Sequence, residues 1–207
     1  ERVPGIEAGP VSLSGGIDDR QSVAYGESLG SGPVVLGNVQ TTDGVQPVET
    51  RVTGTGTGEF SVAICHQAST DACDNGHVNE TVGWVALDPS ADVFDQQTDI
   101  GSVQTNDDDW ASVGFSPLFG STPTVVVSTL TENGGQELQI DEARNVTASG
   151  AAVRFCEMES GDTCDGHTTE TVGWFAAEQA ITLTSPEQNL PEQVTLSVSA
   201  DGENIDD

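Results

Sequence analysis

The sequence predicts an all-β fold: two tandem antiparallel six-stranded β-sandwiches followed by a C-terminal extension strand. Three observations predict it. Short β-branched runs recur along the chain, punctuated by Gly, Thr and Ser, and no stretch carries a helical period. One segment occurs twice, CHQASTDACDNGHVNETVGWVAL from Cys65 and CEMESGDTCDGHTTETVGWFAA from Cys156. Each half holds six strand-like runs separated by turns, which is the pattern of a β-sandwich rather than an α/β fold.

The duplication sets the organisation. Both copies read Cys-x7-Cys-Asp, a short gap, then Gly-His-x-x-Glu-Thr-Val-Gly-Trp-x-Ala, and Trp174 follows Trp84 by 90 residues. Fixed-period self-similarity of this kind marks a repeated supersecondary unit. The expected units are 1–90, 91–180 and an extension, 181–207.

In the first unit the runs are Val11–Ser14, Ser22–Tyr25, Val34–Val39, Val48–Thr53, Glu59–Cys65 and Glu80–Leu87. In the second they are Ile100–Gln104, Trp110–Phe115, Thr124–Leu130, Glu137–Asp141, Ala151–Glu157 and Glu170–Ala177. Ser22-Val23-Ala24-Tyr25 parallels Ser112-Val113-Gly114-Phe115, and Pro33-Val34-Val35-Leu36 is aligned with Thr124-Val125-Val126-Val127. The last strand of each unit alternates, so Val82, Trp84 and Ala86 share one face, as do Val172, Trp174 and Ala176. The Trp makes that the core face. The glycine before each Trp implies a bulge or the close approach of another backbone. Residues 88–97 form a linker. In the extension, Val194-Thr195-Leu196-Ser197-Val198 alternates after two prolines. Val194, Leu196 and Val198 are read as an assembly strand that covers a sheet edge, on a neighbouring subunit or on the chain itself.

The charge is extreme. Thirty-four Asp and Glu stand against five basic residues, all arginine, for a net charge of −29. Acids are spread through the chain among apolar runs, which excludes a disordered acidic tail. At molar salt the Debye length falls to roughly 3 Å and self-repulsion is screened. The composition therefore predicts a protein of a very saline environment, haloarchaeal or of a haloarchaeal virus. Nucleic-acid binding is excluded, because counterion release needs basic residues.

The four cysteines form two Cys-x7-Cys pairs. They lack the short spacing of zinc sites, so local disulfides Cys65–Cys73 and Cys156–Cys164 are the preferred reading, and metal binding is the alternative. Disulfides imply export. The chain starts at Glu1 and has no apolar run long enough to span a bilayer. A removed signal peptide or a fragment of a longer chain is expected.

The second unit reads Phe115-Ser116-Pro117-Leu118-Phe119, then Thr124–Val127, Asn145-Val146-Thr147-Ala148-Ser149-Gly150 and Thr171-Val172-Gly173-Trp174-Phe175-Ala176. This resembles the H-type lectin domain of discoidin-like and snail agglutinins. It is more similar still to prokaryotic surface-protein repeats ending in His-x-x-Glu-Thr-Val. The resemblance implies a six-stranded antiparallel sandwich, trimeric assembly and sugar binding. The family places a sugar-binding arginine on the strand before the Asn-x-Thr turn. The run Glu137–Asp141 has none, and Arg51 lies near the matching place in the first unit.

His77 with Glu80, and His167 with Glu170, are the recurring titratable pairs. Three readings stand: a hydrogen-bonded pair pinning the loop, a cation or ligand site, and an acid–base pair. Asp71, Asp74 and Asn75, and Asp162 and Asp165, lie in or after the cysteine loops, as Ca²⁺ ligands or as solvated turn carboxylates. Asn79 and Asn145 head Asn-x-Thr sequons, candidate glycosylation sites. No catalytic constellation is visible. The expected role is a non-enzymatic extracellular structural or adhesive subunit of a haloarchaeal surface assembly, a filament or virion, self-associating or joined to other surface proteins. A glycan-binding lectin and an accessory module of a secreted enzyme are the alternatives.

Overall fold

The computed structural model describes residues 4–30, 32–66, 73, 76–91, 97–106, 109–134, 139–157, 164, 167–178, 181–183 and 194–196. The first repeat contains β1 (Ile6–Gly15), β2 (Gln21–Ala24), β3 (Val34–Val39), β4 (Val48–Thr55), β5 (Glu59–His66) and β6 (His77–Leu87). The second contains β7 (Thr98–Thr105), β8 (Ala111–Gly114), β9 (Thr124–Thr129), β10 (Gln139–Thr147), β11 (Gly150–Glu157) and β12 (Glu170–Ala177). β13 (Ile181–Leu183) and β14 (Val194–Leu196) follow. Among the described residues the only helix is a single 3₁₀ turn, Ile17–Asp19.

The topology repeats strand by strand. The first repeat forms the antiparallel sheets β1-β6-β3 and β2-β5-β4; the second forms β7-β12-β9 and β8-β11-β10. In each repeat the strand carrying Trp is central and the first and third strands flank it.

Both sheets of a repeat feed one apolar cluster. In the first, Leu13, Val35, Val82 and Ala86 meet Val52, Phe60, Val62 and Ile64. In the second, Val172, Trp174 and Ala176 meet Val113, Val153 and Phe155. Each Trp anchors an aromatic group: Trp84 with Phe60 at 5.1 Å, Trp174 with Phe115 at 5.5 Å between ring centroids. Losing the buried ring of Trp174 costs about 3–5 kcal/mol. Glycine makes room for it. Gly9 pairs with Trp84 and Gly101 with Trp174, and a Cβ on Gly101 would lie 2.7 Å from the indole.

Several sequence expectations change. β1 begins five residues earlier than expected, because its N-terminal half continues along β6 to Ile6↔Leu87. β10 reaches Thr147, because its pairing with β11 continues through Arg144↔Ala152 and Thr147↔Gly150, past the expected end at Asp141. Residues 137 and 138 lie outside the described set. Val34 pairs with Leu87 and Thr124 with Ala177, so Val34 matches Thr124, not Val125. The apolar run of four hides that shift by one residue, and such a shift exchanges the two faces of a strand. The glycine before each Trp admits a side chain, not a backbone: Gln40 against Gly83, Leu130 and Val34 against Gly173. β14 pairs with β13, three residues that the sequence reading passed over. Val198 and linker residues 92–96 lie outside the described residues.

The repeats touch. Leu87, Phe175 and Ala177 form a buried cluster with Ile6, Leu36, Val85 and Ile100. These residues alternate with the core residues on β6 and β12, so the contact joins the outer faces of two equivalent sheets. Between the repeats the Gln139 N–H also donates to Glu49 Oε1 at 2.8 Å, and Arg20 meets Glu132 at 3.1 Å. Burial pushes the Glu49 carboxyl up to about 8, and the nearby Asp141 adds to this, while the Gln139 N–H and Arg51 pull it down.

Candidate functional site

His77 opens β6 and Glu80 follows three residues later; His167 and Glu170 stand at the same place before and on β12. All four are buried, and Glu170 is fully so. Each Glu holds a loop. Glu80 accepts from the Thr41 hydroxyl at 2.6 Å and from the Gly44 and Asp43 N–H groups at 2.8 and 3.1 Å. Glu170 accepts from the Thr131 hydroxyl, from the Asn133 N–H at 2.6 Å and from the Gly134 N–H at 3.3 Å. The same threonines accept from the strand: Thr81 N–H to Thr41 Oγ1 and Thr171 N–H to Thr131 Oγ1, both at 2.8 Å. The Thr41 hydroxyl, with the two N–H groups, holds the Glu80 carboxyl below the usual carboxylate range against the opposing effect of burial.

The loop residues are themselves a repeat, Thr-Thr-Asp-Gly at 41–44 and Thr-Glu-Asn-Gly at 131–134, offset by 90. The sequence reading missed this signal. The glycines are required because each lies on a His ring: a Cβ on Gly44 would sit 2.3 Å from His77, and on Gly134 2.4 Å from His167.

Of the three readings, the direct His–Glu hydrogen bond is not made. The Nδ1 to Oε1 distances are 3.9 and 3.8 Å. Each Nδ1 instead faces a backbone carbonyl, Val78 at 2.9 Å and Thr168 at 2.8 Å. A carbonyl only accepts, so Nδ1 carries the proton.

Two more carboxylate pairs recur, also unforeseen. Asp88 accepts from the Gly30 N–H at 2.7 Å, and Glu178 from the Gly120 N–H at 3.1 Å. Glu7 accepts from the Gly26 and Glu27 N–H groups, and Asp99 from the Ser116 N–H at 2.6 Å. Carboxylates that accept backbone N–H bonds satisfy donors that loops otherwise leave to water.

The disulfides are Cys65–Cys73 and Cys156–Cys164, with Cα atoms 5.0 and 5.1 Å apart. Asp71, Asp74, Asn75, Asp162 and Asp165 lie outside the described residues. Among the described residues no group of three or more His, Cys, Asp or Glu is placed to hold a metal ion. Asn79 and Asn145 are both exposed. Asn145 has φ 52°, in the left-handed region that Asn tolerates, at the bulge closing β10 and β11.

The extended β10 alters the comparison with lectins. Arg144, immediately before Asn145-Val146-Thr147, lies on that strand, contrary to the expectation of no arginine there. Its guanidinium stacks 3.9 Å over Trp110, with Arg154 at 4.5 Å on the same ring. Arg154 also pairs with Glu142 at 2.6 Å. Arg51 on β4 is buried beside Glu49.

No protein family and no solved structure matches the chain. A curated protein does: halomucin of the haloarchaeon Haloquadratum walsbyi is 29% identical over 203 residues. The match covers 98% of this chain and 2% of halomucin. No helix among the described residues is long and apolar enough to cross a membrane.

Proposed function

We propose that this chain is a non-enzymatic structural and adhesive module of an extracellular haloarchaeal surface protein, built from two H-type-lectin-like β-sandwiches that self-associate in a surface assembly. The likeness to halomucin carries the reading. Nearly the whole chain aligns with about one-fiftieth of a protein whose name makes it a mucin of a halophile. The site chemistry agrees with it: the recurring carboxylates are engaged in holding loops, where a hydrolytic acid or base would face a cleft. Disulfides and the acidic surface suit an oxidising, saline exterior. Antibody labelling of intact native cells or particles in molar salt, viewed by electron microscopy, tests this. Label on the outer surface is expected; label confined to the interior overturns the reading.

Glycan binding is the second reading, favoured by exposed Arg144 stacked on Trp110 just before the Asn-x-Thr turn. A glycan array in molar salt, run beside Arg144→Ala, separates a lectin from a scaffold. Binding that is lost in the variant would establish the lectin.

A further inference from the structure

The first repeat buries a second histidine against His77. His66 ends β5, His77 opens β6, and they are 4% and 5% exposed. Their ring centroids lie 5.1 Å apart at an interplanar angle of 57°. Because His77 Nδ1 donates to the Val78 carbonyl, Nε2 of the neutral ring presents a lone pair. Among the described residues, neither His77 Nε2 nor His66 Nδ1 has a hydrogen-bond partner. A buried ring nitrogen without a partner is costly and points to a ligand.

The second repeat treats the same place differently. There His167 Nε2 lies 3.5 Å from the Gln139 side-chain amide, and Phe155 meets the ring edge-on. Gln139 pairs with Glu157 as Val48 pairs with His66, so the amide of one repeat is an apolar residue in the other. Where the second repeat has an internal donor, the first has a second imidazole.

We propose that His66 Nδ1 and His77 Nε2 bind one divalent cation of borderline softness, Zn²⁺ or Cu²⁺, in the first repeat only. Neutral imidazole nitrogen suits these ions. A ligating histidine donates its other N–H to a carbonyl or carboxylate, which fixes the ring. His77 does this to Val78, with Glu80 Oε1 3.9 Å from the same nitrogen. Gly44 lies against the ring and restrains its tilt. Glu80 is not a ligand, because its oxygens are taken by Thr41, Asp43 and Gly44. A recess of about 290 Å³ is walled by Thr41, Gly44, Gln46, Val48 and Glu80, among others; Gly44 lies on the His77 ring and Val48 pairs with His66.

The intact, disulfide-bonded chain in molar salt is titrated with Cu²⁺ alone and with Zn²⁺ alone. One equivalent per chain is expected, and electron paramagnetic resonance of the copper form should show coupling to two imidazole nitrogens. His66→Gln should weaken binding at least tenfold with an unchanged circular dichroism spectrum, whereas His167→Gln should bind as the parent does. No stoichiometric binding, a copper spectrum without two imidazole couplings, or undiminished binding in His66→Gln overturns the proposal. The copper spectrum of the unaltered chain decides the matter even if His66→Gln fails to fold.

Discussion

Glu170 takes three hydrogen bonds while fully buried. Glu170→Ala strands the Asn133 and Gly134 donors and should cost about 3 kcal/mol, read by thermal melting in molar salt. Glu80, in the same place, adds a pH dependence. Its carboxyl is held below its unfolded value, so its contribution is complete above about pH 4.5 and is lost as pH falls through the lower, folded value. Acid titration of Glu80→Gln should show a shallower acid limb than the parent. Glu49 acts in the opposite sense. Folded, it keeps its proton to about pH 8, against 4.5 when unfolded. The folded state therefore binds more protons between those values, and stability falls as pH rises across them. Glu49→Gln keeps an acceptor for the Gln139 N–H. The variant should match the parent near pH 4 and melt higher than the parent at pH 9.

At the scale of the strand, Gly101 faces Trp174 with no room for a side chain. Gly101→Val should overpack the second core and cost about 1–3 kcal/mol, measured as a lowered melting temperature. Reduction should be felt in each hairpin end as well. Each disulfide closes an eight-residue separation, for which the chain-entropy model gives about 2.5 kcal/mol, so reduction should lower the melting temperature in two additive steps. Most strands were legible because alternation and β-branched runs report burial directly: β3 and β12 begin and end where the periodicity placed them. β10 was cut short because Glu142, Arg144 and Asn145 look like a loop, whereas they line a half-exposed strand. The His–Glu pairs were visible as a repeat, but their partners were not, since Thr41, Gly44, Thr131 and Gly134 are distant in sequence and the glycines bond through the backbone. His66 went unnoticed because it has no counterpart at 157.

Across the whole molecule, 34 acids and five arginines leave a net charge of −29. Dialysis from molar to millimolar salt should abolish the β-sheet circular dichroism signal, and an unchanged melting temperature over that range would show that charge repulsion is not limiting. Several of those acids are structural. Glu7, Glu80, Asp88, Asp99, Glu170 and Glu178 each hold a loop, so neutralising the chain by mutation at those six places should destabilise it even at low salt, where the loss of charge alone would help.

The apolar contact of Leu87, Phe175 and Ala177 with Ile6, Leu36, Val85 and Ile100 has a numerical consequence. Each repeat hides its own outer face only by lending it to the other. One repeat alone would present that face to water, so either repeat expressed by itself is expected to associate, read by light scattering in molar salt. Two is then the smallest number of repeats that closes this face.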